Sequence, residues 1–423
     1  MARMREDTKA LISTSMAHFS NDGVFLLFSS LIVYYSEPST GLNITILGYF
    51  ATIYILVSGI ASIPIGRLSD SRDMDPELMF AGIVIIGLSV ILFAIPFSFT
   101  SSTSLLIKYL FAGLGALVLG FGQAFYHPLG ASIIRTSLRG KDSSTYLGIN
   151  GSFGSMGRAI LLFIAGVLII DFNPFFGLLL FSLYYFVMSV IIYLSSRSLR
   201  KNGVNAKVKP EHSTLKPMKE YPGVIGFLSV LTSTIFLRSV FLMAIATYTF
   251  KYIDSTYHSN YLSFLFLSSA LSTPILGQPV FGILTKKIGG NRALLASSVI
   301  SVIAFTPFIM ITGNFYLSLS LFSVYSFAAF TGFPSILGFV GQKIPLELTT
   351  RASTWTWGIG STLGGATGIM IVTEMHDQLN YSFRFLFQIM LIFLLLSAIT
   401  NLFIGKFSSR LKNQVQIEKT YTS

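Results

Sequence analysis

No charged residue stands between Glu77 and Lys108, between Asp171 and Arg197, or between Arg384 and Lys406. Each interval is at least as long as the ~20 apolar residues that carry a helix across a bilayer. In lipid every backbone polar group must be satisfied internally, which leaves helices or a closed barrel. The apolar residues run on without alternating, so the segments are helices. Of the 423 residues only 11% are charged, less than half the roughly 25% of a soluble domain. The chain reads as an all-α membrane protein. Twelve transmembrane helices are expected at about 10–36, 43–66, 77–97, 104–134, 145–170, 174–197, 223–252, 259–283, 293–312, 315–342, 351–374 and 380–406. The basic start, Met1 to Arg5, is like a signal peptide. The apolar stretch behind it is too long for one, and no small-residue cleavage site follows, so it is read as leading into the first helix.

A faint duplication with an offset of 216 residues organises these helices. Asp22-Gly23-Val24-Phe25-Leu26 returns as Arg238-Ser239-Val240-Phe241-Leu242, and Gly66-Arg67-Leu68-Ser69-Asp70 as Gly282-Ile283-Leu284-Thr285-Lys286. Internal repeats are a common way to build secondary transporters. The expected domains are an N-terminal six-helix bundle at 1–196, a linker at 197–222, a C-terminal six-helix bundle at 223–406 and a tail at 407–423. The linker holds seven Lys and Arg residues with Pro210 and Pro217, and a solvated basic loop near anionic headgroups accounts for it.

A net charge of +12 raises the question of nucleic acid, but the distribution answers it. With the N-terminus in the cytoplasm, 24 of the 29 Lys and Arg residues fall in cytoplasmic segments. That is the positive-inside rule. It predicts a multi-pass protein of the plasma membrane with both termini cytoplasmic, a lipid bilayer for a partner and no nucleic acid. Two sequons, Asn43-Ile44-Thr45 and Asn380-Tyr381-Ser382, then fall outside. The chain has no cysteine, which removes disulfides and thiolate chemistry. It carries no His-Glu-x-x-His, no Gly-x-Ser-x-Gly and no Walker-type phosphate loop. No enzyme, cofactor or metal is expected, and a monomer is.

Gly66-Arg67-Leu68-Ser69-Asp70-Ser71-Arg72 resembles the loop signature of the major facilitator superfamily, and Gly282 to Gly289 resembles its second copy with Lys286 in the acid's place. The resemblance covers about residues 10–406 and implies transport by alternating access. It implies that Gly66, Asp70 and Arg72, with Arg135 as a candidate partner, hold one side closed. Gly282, Lys286 and Lys287 do the same in the second half. His18-Phe19-Ser20-Asn21-Asp22 and Phe125-Tyr126-His127-Pro128 resemble motifs of the fosmidomycin-resistance branch. Leu129 stands where that branch has an acid, and Gly157-Arg158 where drug antiporters tend to carry Gly-Pro.

Asp22, Arg158 and Arg238 each lie 12 to 15 residues into an expected helix, about 18–22 Å along it at 1.5 Å per residue. That places three charges near the bilayer midplane, where each costs at least ~2.5–3.5 kcal/mol against lipid. They are expected to face a cavity or each other, and Asp22 and Arg238, as repeat mates, could pair directly. His18 shares a helical face with Asp22, which makes Asp22 the proton-coupling candidate and His18 its modulator or an alternate carrier. Substrate-binding candidates are Asn21, Gln123, His127, Asn150, Arg158, Arg238 and Gln278. The guanidinium forks suit carboxylate or phosphate. Trp355 and Trp357 read as interfacial anchors. The leading reading is a proton-coupled secondary transporter of a small organic solute, with the arginines favouring an anion. Drug or metabolite efflux by antiport, proton-independent anion exchange, and a receptor on this fold stay open beside it.

Overall fold

The computed structural model describes residues 6–137, 143–199, 221, 223–311, 313–344, 348, 352 and 355–421. Among them there is no strand; the chain is a bundle of helices. The basic linker expected at 197–222 lies almost wholly outside the described residues.

The first transmembrane passage is broken. Helix α1 (Glu6–Gly23) and α2 (Leu27–Ser36) flank the turn Val24–Leu26. Helix α3 (Ile44–Ser71) starts at an Asn43 cap whose side chain accepts from Thr45 N at 2.7 Å. An oxygen acceptor there satisfies one of the four orphan N–H groups of a helix start. Helix α4 (Asp75–Ala94) follows, with Pro76 in its first turn, where a missing N–H costs nothing. The fourth passage breaks again, into α5 (Leu105–Gln123) and α6 (Tyr126–Ser137). Helix α7 (Ser143–Ser196) runs through 54 residues, yet Asn173 in its middle is non-helical (φ 65°, ψ 162°) and Pro174 follows it.

Helix α8 (Val224–Tyr257) is continuous where its repeat mate α1 breaks. Next come α9 (Asn260–Ser272), α10 (Pro274–Ile288), α11 (Gly290–Met310), α12 (Phe315–Ala329) and α13 (Gly332–Lys343). A π-helical stretch, Trp355–Leu363, leads into α14 (Gly364–Leu379), and α15 (Phe383–Tyr421) ends the chain. Among the described residues nine helical stretches are long and apolar enough to cross a membrane, and one of them, Gly148–Ser196, spans 49 residues.

Three sequence-based boundaries change. The loop expected from residue 66 is helix as far as Ser71, because Arg72 N still donates to Leu68 O at 2.9 Å. The eighth passage likewise runs to Ile288, where Gly289 takes a positive φ of 86°. The tail expected from 407 continues α15 to Tyr421.

Packing follows two matching patterns. Helix α7 packs on α1 and α4 in the first part of the chain; α8 packs on α14 and α15 in the second. Across the two parts, α7 meets α9 and α10, α3 meets α14, and α2 meets α8. At the Ser36 end, Thr45 Oγ1 donates to Asp377 Oδ1 at 2.7 Å and Tyr49 Oη donates to Glu374 Oε1 at 2.6 Å, joining α3 to α14.

Candidate functional site

Asp22 sits on the last turn of α1, buried, one residue before the Val24–Leu26 break. Arg158 of α7 reaches it with Nη2 at 2.5 Å and Nε at 3.1 Å, both on Oδ2. His18 Nε2 approaches the same oxygen at 3.3 Å from one turn back. His127 Nε2, on α6, lies 3.9 Å from Oδ1, and Asn21 Nδ2 donates to Oδ1 at 3.1 Å. A buried carboxylate is tolerable only with such compensation.

The other side of His18 fixes its tautomer. Nδ1 lies 2.8 Å from the Asn150 carbonyl oxygen and 2.9 Å from Asn150 Oδ1. Asn150 Oδ1 is committed as an acceptor, since Tyr126 Oη donates to it at 2.8 Å. A carbonyl only accepts, so Nδ1 carries a hydrogen and donates. The Nε2 facing Asp22 is then either protonated, as imidazolium, or a bare lone pair aimed at a carboxylate. The His18–Asp22 contact is attractive only with a proton in it. The tautomer is assigned from these partners. The imidazole also stacks on Tyr126, with ring centroids 4.5 Å apart.

The site is closed below by Gln123, whose Nε2 donates to the Asn21 carbonyl at 2.9 Å while Tyr54 Oη donates to its Oε1. Above, the Arg158 guanidinium lies over the Phe25 ring, 5.1 Å from Cζ to the centroid. A cation over an aromatic face is attracted by the ring quadrupole. Phe25 meets Phe330 edge to face at 6.3 Å. Both rings stand at helix breaks, in the α1–α2 turn and in the α12–α13 turn.

Beyond Phe330 lies a second polar group. Arg238 of α8 donates to Ser298 Oγ at 3.0 Å, to Ser297 Oγ at 2.7 Å and to the Ala329 carbonyl at 2.9 Å. It is buried, and among the described residues it makes no ion pair. Gln278 Nε2 donates to the Phe330 carbonyl at 3.1 Å, while Gln278 Oε1 and Tyr325 Oη are buried without a hydrogen-bond partner among the described residues.

Seven of the residues singled out from sequence therefore converge: His18, Asn21, Asp22, Gln123, His127, Asn150 and Arg158. Arg238 and Gln278 form the second group. The direct Asp22–Arg238 pair is not made. Asp22 is taken by Arg158, which α7 brings against α1, and Arg238 is held by serines of α11. Tyr54, Tyr126, Phe25, Phe330, Ser297 and Ser298 were not singled out. Tyr126 had a signal, since it lies inside the motif ending in His127-Pro128; the serines had none. Trp357 is not a lipid anchor alone, because its ring lies 6.4 Å from that of His127.

Of the expected closing contacts, the side chains of Asp70 and Arg135 lie outside the described residues. Arg72, Lys286 and Lys287 are exposed, the lysines in the last turn of α10. Gly66 faces Pro128 on α6, and Gly282 has open space around it. The acid that links α3, α4 and α6 is Asp75, which accepts from Ser69 Oγ at 2.6 Å and Ser132 Oγ at 2.9 Å.

A family model described as Major Facilitator Superfamily matches residues 11–369. No curated protein matches the chain.

Proposed function

The chain belongs to the major facilitator superfamily and is a membrane transporter; from that premise we propose that it is a proton-coupled secondary transporter of a small organic anion, working by alternating access. We read twelve crossings, counting the kinked α7 as two and the pairs α1–α2, α5–α6, α9–α10 and α12–α13 as one each. They form two six-helix halves, 1–196 and 223–406, joined by 197–222, with 407–423 as a tail. The excess of Lys and Arg in the intervening segments favours a plasma-membrane protein with cytoplasmic termini. The Ser36 end then faces outward.

One observation carries the proton: His18 donates from Nδ1 to Asn150, so its contact with Asp22 is attractive only when a proton occupies it. The anion follows from Arg158, whose fork is spent on one oxygen of Asp22. A substrate carboxylate or phosphate competes for that fork. As Arg158 turns to the substrate, Asp22 loses its cation and holds the His18 proton more tightly. Proton and anion thereby favour each other's binding, and the coupling is reciprocal. Release of both at the opposite face restores the Asp22–Arg158 pair. Arg72, Lys286 and Lys287, with Asp70 and Arg135, remain the proposed closing contacts of the cytoplasmic side.

A second reading is efflux by antiport. The motifs at His18–Asp22 and Phe125–Pro128 favour it, being similar to those of the fosmidomycin-resistance branch. Both readings use the same proton site.

The test is proton flux. Purified protein in liposomes with an internal pH dye is given a proton gradient and a panel of organic anions, cations and neutral drugs. The expected result is substrate-dependent proton movement that Asp22→Asn abolishes. Substrate flux without proton movement, unchanged in that variant, would turn the protein into a uniporter or exchanger and Asp22 into a structural partner of Arg158.

A further inference from the structure

The two arginines leave the buried site with an imbalance of charge. Arg158 has Asp22; Arg238 has only hydroxyls and a carbonyl. A guanidinium has five N–H donors, and three hydrogen bonds hold Arg238 among the described residues. A buried cation without a counter-ion is costly, and polar neighbours offset that cost only in part. Near it, Tyr325 Oη is buried without a hydrogen-bond partner among the described residues. A buried hydroxyl left open near a cation without a counter-ion is what an anion would complete.

Two rings connect the surroundings of the two guanidinium groups. Arg158 Cζ stands 5.1 Å from the Phe25 centroid, and that centroid 6.3 Å from Phe330. Arg238 and Gln278 both hold carbonyls of the Ala329–Phe330 turn. Phe25 and Phe330 belong to opposite parts of the chain and stand at helix breaks. Phe25 N bonds back to Asp22 O and Phe330 N to Ser326 O, so a solute entering between the rings has to move side chains on held turns.

Charge neutrality then selects the solute. With the His18–Asp22 contact protonated, Asp22 and the shared proton cancel, and the two guanidinium groups leave a charge of two. With the contact empty of its proton, the described charges leave one. A monoanion therefore neutralises the proton-free site, while the protonated site is neutralised by a dianion. Resting on the proton coupling proposed above, we propose that the solute is a small organic dianion, one anionic end on Arg158 and the other on Arg238, its body displacing the Phe25–Phe330 contact.

The chain reports on this site itself, since Trp357, one of its two tryptophans, lies against His127. Tryptophan fluorescence of the purified full chain is titrated near neutral pH with succinate, glutarate and terephthalate, and with butyrate, pentanoate and benzoate as length-matched monoanions. The dianions are expected to bind at least about tenfold more tightly, as suits one added charge-assisted contact. Arg238→Gln is expected to shrink that preference below about threefold while benzoate binding persists through Arg158. Arg238→Lys, which keeps the charge, gives an intermediate preference and guards against a glutamine variant that fails to fold. Equal binding of both classes, a preference that Arg238→Gln leaves intact, or no response to any dianion overturns the proposal. A monoanion that drives proton flux through Asp22 would sink the dianion and leave proton coupling standing.

Discussion

Glu37 shows what one turn residue adds. It caps the Ser36 end of α2 and lines a cleft of about 480 Å³ with Phe97, Asn173 and Phe175. Partial burial raises its carboxyl above the ordinary value, with the Asp254 charge adding to this and Asn260 and Lys251 opposing it. The folded protein thus holds this proton more tightly than the unfolded chain. Stability falls as pH rises from the ordinary carboxylate value through the raised one. Glu37→Gln should flatten the dependence of Tm on pH in that window, and an unchanged slope would show that Glu37 is as solvated as in the unfolded chain. At this scale the sequence was informative about which polar residues gather around Asp22 and misleading about Asp22's partner. Charges in apolar helices are few enough to be found by inspection. Which arginine meets Asp22 depends on which helix lies against α1, and spacing carries no such information.

Among the elements, one contact is used twice. Gly157 of α7 packs on the Phe19 carbonyl of α1, and Gly368 of α14 on the Val240 carbonyl of α8. A Cβ at either position would run into backbone, which cannot swing aside as a side chain can. Small residues that let helices approach closely are the usual solution in membranes, where lipid removes the hydrophobic drive to associate. Gly157→Val should part α1 from α7 and cost about 1–3 kcal/mol or more, as overpacking does. The readout is loss of monodisperse protein and a lower Tm in detergent. Gly148→Ala is the control: nothing lies within 4 Å of its new Cβ, so it should be neutral or mildly stabilising. A tolerant Gly157 would mean that the close approach is not needed. These two contacts do not lie 216 residues apart, and the repeat gives no sign of the break in α1 either, since α8 runs straight through the equivalent Val240–Leu242.

In the whole molecule, the Ser36 end is linked across the two parts by Thr45–Asp377 and Tyr49–Glu374. Each is a hydroxyl donating to a carboxylate, strong enough to hold and weak enough to release. The alternating access proposed above requires that these ties break on each cycle. The absence of cysteine makes the test clean. Thr45→Cys with Asp377→Cys, joined by a short bifunctional thiosulfonate, should arrest transport, and reduction should restore it. Full transport through the linked protein would show that this end does not open.

By itself the sequence determined a helical membrane protein, its family and the handful of polar residues set within apolar helices. These follow from hydropathy and local spacing, which act within one helix and survive without a partner. Tertiary structure alone decided the pairing. It gave Asp22 to Arg158, left Arg238 to serines, set Phe25 against Phe330 and aimed His18 Nδ1 at Asn150. Those contacts join residues far apart in the chain, and their energies depend on which helix faces lie together. A one-dimensional pattern of apolar runs leaves that arrangement open.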